Sequence, residues 1–248
     1  MSEAENEQFG FSDPRDAEVT EYRAVSGLAL AGLIAGILAP LAMVHPLLWI
    51  VPAAGIVLSV AAFRRVSRDA LALIGRKAAF AGLVLSVLFG AIAPANWFTY
   101  RHLIDREAEQ FALQWFDFLR QGEMLKSYQL QESPFSRLPL DDRLWEHYLP
   151  GNQERVSLQG YVERAEVRSL LALGEKALVR FYDTEGQSRA DGTDQVEQVY
   201  AVTTGEAGRK TSYFVRLGMR RYSDPGTGRA YWQIVDVEGG IRPRALGG

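Results

Sequence analysis

The chain has 248 residues, 48% hydrophobic and 23% charged, with a formal net charge of −3 and no cysteine. Those averages match an ordinary soluble protein, yet the 40 residues Ala24–Phe63 and the 23 residues Ala78–Tyr100 contain no Asp, Glu, Lys or Arg. Such stretches cannot form a water-facing surface, which excludes a wholly soluble protein, and the missing cysteines exclude disulfides, thiol catalysis and thiolate metal sites.

Residues 1–23 carry seven acids against Arg15 and Arg23, for a net −5. So acidic and apolar-poor a segment predicts a disordered tail. It does not read as a cleavable signal peptide, which opens on a basic region before a short apolar stretch.

Residues 24–100 read as a membrane anchor with a net +4. About 20 apolar residues cross the hydrocarbon core, so the first run is too long for one span. His45-Pro46 divides it into spans of about 25–44 and 47–63, and a third runs about 78–97, closing on Pro94, Asn96, Trp97 and Tyr100. The aromatic residues suit the headgroup layer. A re-entrant hairpin of the first two segments is the alternative to three full spans. Between the second and third spans lie Arg64, Arg65, Arg68, Arg76 and Lys77. Short basic loops stay in the cytoplasm, so the tail is expected there too and the remainder of the chain across the membrane.

Small residues recur within the spans. Gly32 and Gly36 form a GxxxG, and Gly82, Ser86 and Gly90 repeat the spacing on the third. Such positions let helices approach closely. Packing among the spans of one chain is the expected use, with self-association as the alternative. His45 is the only ionisable residue inside the apolar zone and sits at the turn. Transport, which needs polar groups at mid-membrane, is not expected.

Three segments carry a resemblance: Ala24-Val25-Ser26-Gly27-Leu28, Ile56 through Arg65, and Gly75-Arg76-Lys77-Ala78-Ala79-Phe80-Ala81-Gly82-Leu83-Val84-Leu85-Ser86. Over residues 24–97 the chain resembles the bacterial membrane family called domain of unknown function four-one-nine-zero. In that family a hydrophobic pair ends in a small-residue and basic motif, and Gly-Arg-x-x-Ala-x-Ala-Gly-Leu opens the last span. Ser59-Val60 stands here where the family usually has Gly-His. The resemblance implies a multi-pass protein of the bacterial cytoplasmic membrane and no catalytic residues.

Residues 101–248 are expected to form an extracytoplasmic α+β domain. Ile104, Ala108, Phe111, Ala112, Trp115, Phe118 and Leu119 fall on one helical face over 101–121. Gly122 interrupts, Glu123–Leu130 predicts a shorter helix, and a further short helix lies near Asp141–Leu149 with Asp141 or Asp142 as its cap. After residue 156 the period becomes two. Ala165–Leu171, the run from Ala177, Val196–Val202, Tyr213–Met219 and Trp232–Ile234 read as strands, and Asp224-Pro225-Gly226-Thr227-Gly228 as a hairpin. Helices followed by strands predict helices packed on a curled antiparallel sheet. With Phe111, Trp115, Phe116, Phe118, the break at Gln121-Gly122 and the closing strand Tyr231–Val235, residues 101–238 are similar to the nuclear-transport-factor-two-like or cystatin-like cone. That fold often cups a pocket, and some members are enzymes with an Asp-His pair in it.

The candidate sites follow from these elements. Asp117 and His147 are the pocket candidates for an acid–base pair, although no local motif supports them against an ordinary surface position. Asp191-Gly192-Thr193-Asp194 resembles part of a calcium loop but lacks the closing Glu, and a polar hairpin tip is the better reading. Arg216, Arg220 and Arg221 form a basic run suited to an anionic ligand, weighed against a solvated sheet face balanced by acids such as Glu197. No metal site, cofactor motif or phosphate loop is present in the sequence, and nucleic acid is not an expected partner. The sequence therefore predicts a membrane-anchored, non-enzymatic binding or assembly module. Its expected partners are the lipid bilayer and either a second copy or an envelope protein; the alternative is a hydrolase- or isomerase-like enzyme with a cone pocket.

Overall fold

The computed structural model describes residues 24–68, 73–151, 153–205, 210–224 and 226–246. The expected disordered tail, 1–23, lies outside them. The described residues form two compact units divided between Thr99 and Tyr100.

The first unit opens with β1 (Ala24–Val25), which leads into helix α1 (Gly27–Leu38). Pro40 enters the following segment, and the chain tightens to a 3-10 helix over Ala39–Met43. At the turn His45 Nδ1 accepts from the Leu47 amide at 3.2 Å, and a 3-10 turn at Pro46–Trp49 starts helix α2 (Ile50–Arg68). Strand β2 (Leu73–Ile74) pairs in parallel with β1, Ala24 opposite Leu73, and helix α3 (Arg76–Arg120) follows. The starts of α1 and α3 therefore lie side by side. Among the described residues two segments, Pro46–Arg68 and Arg76–Arg120, are long and apolar enough to cross a membrane; Gly27–Met43, at 17 residues, is shorter.

Within the expected first span the winding changes from α to 3-10 where Pro40 enters. The helix that holds the expected span of about 78–97 extends beyond it. It continues as one 45-residue helix through Pro94. The ring removes one amide donor, whose acceptor would be the Gly90 carbonyl.

Burial in this unit inverts the usual order. Ala29, Ala39, Ala62, Ala79, Ser59 and Ser86 are fully or almost fully buried, whereas Leu30, Ile37, Leu47, Val57 and Phe80 are exposed. Small residues form the interior and large apolar ones the surface.

The second unit is α+β. After Gly122, which adopts a left-handed φ of +76°, come α4 (Met124–Gln129), a 3-10 helix over Leu144–Tyr148, α5 (Gln153–Val162) and α6 (Ala165–Leu173). The four long strands are β3 (Leu178–Ala190), β4 (Thr193–Thr204), β5 (Thr211–Ser223) and β6 (Ala230–Ile241). They pair antiparallel in the order β3-β4-β5-β6. Register shifts at Phe181/Asp183, Thr184/Gly186, Phe214/Val215 and Gly218/Met219 mark bulges, which bend strands and curl the sheet. Ile104, Ala108, Ala112, Trp115, Phe116 and Leu119 of α3 pack with Val167 and Leu170 of α6 against Val196, Tyr200, Val202, Val215, Leu217 and Ile234. At the β6 edge, the Ile234 amide donates to the Leu130 carbonyl at 2.9 Å, so the chain after α4 covers part of that edge.

The strand expected at Ala165–Leu171 is a helix. Its alternation lasts only five residues, Ala165–Ser169, and then meets Leu170-Leu171-Ala172-Leu173, which cannot alternate. Val167 and Leu170 bury one face at a spacing of three, and Gly174, with φ +55°, ends the helix. Helix α5 was likewise not expected. Tyr161 is its only fully buried side chain, with Leu158 and Val162 half-buried beside it, which leaves a weak apolar stripe.

Candidate functional site

In the first unit the small residues are the contact surface. A methyl built on Gly32 would lie 2.6 Å from Ser59 Oγ, and one on Gly36 would lie 2.7 Å from the Gly82 carbonyl oxygen. A methyl on Gly82 would meet the Gly32 carbonyl at 2.6 Å, and one on Gly55 would overlap Ser86 Oγ. Gly90 is looser, with Pro52 Cβ at 3.4 Å. Gly32, Gly36, Gly82, Ser86 and Gly90 thus bring α1, α2 and α3 of one chain together.

The ends of α2 and α3 differ in chemistry. Trp49 stands edge-on to Trp97 with ring centres 5.9 Å apart, and Phe98 joins them. At the other end lie Arg64, Arg65, Arg68, Arg76 and Lys77, with the Arg76 guanidinium 5.2 Å from the centre of the Phe63 ring.

In the second unit the basic run is largely neutralised. Arg216 donates from Nε to Glu185 at 2.9 Å and also pairs with Glu238, while the Arg244 guanidinium approaches Glu185 at 3.7 Å. Burial opposes ionisation of Glu185, whose side chain is 1% exposed. Hydrogen bonds from the Arg244 amide and the Arg216 guanidinium, with the two positive charges, overcome that opposition and hold its carboxyl below the usual range. Arg221 lies on the opposite face of β5 and pairs with Glu107 at 2.9 Å and Asp194 at 3.6 Å. Glu197 lies 3.7 Å from the Arg244 guanidinium and also adds its negative charge to the surroundings of Arg216. Arg220 has no carboxylate partner among the described residues; its Nη1 reaches Tyr222 OH at 3.5 Å and its Nε is buried without an acceptor.

The Asp117 carboxylate is held by Arg120 at 2.9 Å with its side chain about half exposed, and His147 is exposed on the 3-10 helix after Arg143. Neither lines the clefts described around Gln131, Gln110 and Leu125. The interior between α3 and the sheet is filled by Trp115, Phe116 and Tyr200, all at 0% exposure. Asp191 and Gly192 form a two-residue hairpin tip between β3 and β4, both with positive φ (51° and 74°), the geometry of a type I′ turn. Among the described residues no group of three His, Cys, Asp or Glu is placed to hold a metal.

Family models, curated proteins and solved structures all lack a significant match.

Polar features that the sequence does not signal lie inside the second unit. Trp115 Nε1 donates to Tyr161 OH at 3.0 Å, which donates to Ser127 Oγ at 2.9 Å, which donates to the Met124 carbonyl at 2.9 Å. Arg137 ties α4 to β6, donating to the Gln129 carbonyl at 2.9 Å and the Trp232 carbonyl at 2.7 Å. Residues so far apart in sequence leave no local pattern by which to find them. The cleft beside this network is lined by Tyr128, Gln131, Glu132, Arg164, Gln233 and Val235, among others.

Proposed function

We propose that this chain is a membrane-anchored, non-enzymatic binding or assembly module: three spans in a bacterial cytoplasmic membrane carrying an extracytoplasmic α+β domain. The observation that carries the reading is the inverted first unit, with glycine, alanine and serine inside and leucine, isoleucine, valine and phenylalanine outside. Water would expel that surface; hydrocarbon accepts it, and close contact between small residues is how helices associate there.

Dimensions support the same reading. At about 1.5 Å per residue, Ile50–Arg68 covers about 28 Å and Arg76 to Trp97 about 31 Å, close to the roughly 30 Å hydrocarbon thickness. The basic and aromatic ends are therefore separated by about one bilayer core. Gly27–Met43 is short in residues, but its last five are 3-10 and rise about 2 Å each, bringing the segment to about 28 Å. That length supports a full first span over a re-entrant one. The five bases at one end favour the cytoplasm for it, and the β1–β2 pair sets the start of α1 at that same end.

The residue pattern of 24–97 supports membership of the domain of unknown function four-one-nine-zero family, and helices on one face of a curled sheet support a cone-like domain. No observation favours the enzyme alternative, since Arg120 holds Asp117 and neither Asp117 nor His147 lines a described cleft. Alkaline carbonate extraction of membranes tests the anchor. The chain is expected to stay in the pellet, and release with peripheral proteins would overturn the reading.

A further inference from the structure

All the bases of residues 24–100 sit at one end of the first unit. Arg64, Arg65 and Arg68 close α2, Arg76 and Lys77 open α3, and all five are exposed. Arg76 rests against the Phe63 ring, and none of the five pairs with a carboxylate among the described residues. The segment joining the two helices has a single acid of its own, Asp69.

The backbone adds charge of the same sign. Because β1 and β2 pair in parallel, Val25 opposite Ile74, α1 and α3 both begin at this end. The first amides of a helix carry a partial positive charge that acids in the first turn offset. Neither helix has such an acid, and the Ser26 side chain makes no capping bond to α1. Arg76 and Lys77 stand where the helix field disfavours them. The end of α2 carries the opposite partial charge, but Arg65 and Arg68 in its last turn already answer it. A surplus of positive charge remains.

The chain supplies an acidic segment at the same place. Residues 1–23 carry Glu3, Glu5, Glu7, Asp13, Asp16, Glu18 and Glu21 against Arg15 and Arg23, a net −5 beside the net +4 of residues 24–100. They join the unit at Ala24, which lies opposite Leu73, three residues before Arg76. Glu21 is three residues from that junction. Even Glu3 is joined to it by a length of chain that can span roughly 70 Å, several times the diameter of a helix. Tethering of this kind holds a segment at an effective concentration of the order of millimolar, an advantage that an untethered acidic partner lacks.

We propose that residues 1–23 dock on the basic end of their own bundle. Their carboxylates meet Arg64, Arg65, Arg68, Arg76 and Lys77 and the open amides of α1 and α3, and so occupy a surface that anionic headgroups would otherwise take. The β1–β2 pair sets Ala24 at this end whatever surrounds the helices, so the inference goes beyond the membrane reading and does not depend on it.

The test is carbodiimide cross-linking, which joins a carboxylate to an amine in contact with it, on the full-length protein in uncharged detergent micelles. Lys77 is the only lysine before Lys126, so a product linking Lys77 to the tryptic peptide 1–15 reads the contact. Its yield is expected to fall about fivefold or more as salt rises from about 10 mM to about 1 M, over which the Debye length shrinks from about 30 Å to about 3 Å. At low salt it is expected to fall by a similar factor in the triple variant Asp16→Asn, Glu18→Gln, Glu21→Gln, whose changes lie outside the helices and spare the acids of peptide 1–15. It is expected to persist when phosphatidylglycerol is added to the micelles. Absence of the product, or a yield that salt or the variant leaves unchanged, overturns the proposal. Loss of the product on adding phosphatidylglycerol makes the headgroups the occupant and overturns it as well. Carbonate extraction reports on the anchor separately, so failure of the docking and failure of the membrane reading are distinguishable.

Discussion

Replacing Gly82 by alanine puts the inverted bundle under direct strain. The new methyl would lie 2.6 Å from the Gly32 carbonyl oxygen, 2.7 Å from its carbonyl carbon and 2.9 Å from the Leu33 amide nitrogen. These contacts are roughly 1 Å short of ordinary van der Waals separation. All three obstacles are backbone, so no side-chain rotation relieves them and α1 must move away from α3. Overpacking of this kind costs about 1–3 kcal/mol. Gly90→Ala is the matched control on the same helix, since its methyl meets only side-chain atoms at ordinary separation, Pro52 Cβ at 3.4 Å being the nearest. There the intrinsic helix preference of alanine, up to about 1 kcal/mol, makes the change neutral or stabilising. The assay is the midpoint of unfolding in mixed micelles of increasing SDS fraction, read by the fluorescence of the tryptophans, two of which sit in this unit at Trp49 and Trp97. Gly82→Ala should unfold at a lower SDS fraction and Gly90→Ala at or above the wild-type value. Equal midpoints for Gly82→Ala and wild type, or equal losses in both variants, would refute the packing described here.

Two further outcomes are expected in the second unit. Tyr161→Phe removes the acceptor of Trp115 Nε1, a group at 0% exposure, and should destabilise the domain by about 1–3 kcal/mol in chemical denaturation, whereas a wild-type midpoint would mean that the buried hydroxyl chain contributes nothing. Because the folded Glu185 carboxyl is held below its ordinary value of 4.5, its contribution is fully present above that value and is lost as pH falls through the lower folded value. Glu185→Gln should therefore flatten the acid side of the stability profile below about pH 5, and an unchanged slope there would remove Glu185 as the cause.

Much of the architecture was legible because it rests on local pattern. The charge-free runs located the apolar segments, Gly122 marked the end of the long helix, and alternation in Val196–Val202 and Tyr213–Met219 matched β4 and β5. Asp191-Gly192 gave its hairpin because both residues tolerate the left-handed region the turn requires. Local pattern failed where it was short or ambiguous. Ala165–Leu171 alternates for less than two helical turns, so a helix and a strand explain it equally until Leu170 and Val167 are seen buried together. Pro94 suggested a boundary, yet helical interior on either side carries α3 through it. The partners of Arg216 and Arg221 were beyond reach for another reason. Glu185 lies on a bulged strand and Glu107 on α3, and neither strand register nor helix rotation is written near the arginines. The same holds for the cleft, whose Gln131, Glu132 and Arg164 come from segments that only the fold brings together.

Cysteine labelling tests the central claim most directly, because the chain has no cysteine of its own. Single replacements are made at Ser67, exposed near the basic end of α2, and at Ser188, exposed on β3. Cells with a permeabilised outer barrier and an intact cytoplasmic membrane are treated with a membrane-impermeant maleimide. A bilayer crossed by the bundle, with its basic end in the cytoplasm, predicts that Ser188→Cys is labelled at once and Ser67→Cys only after lysis. Labelling of both before lysis, or of Ser67→Cys alone, would contradict it.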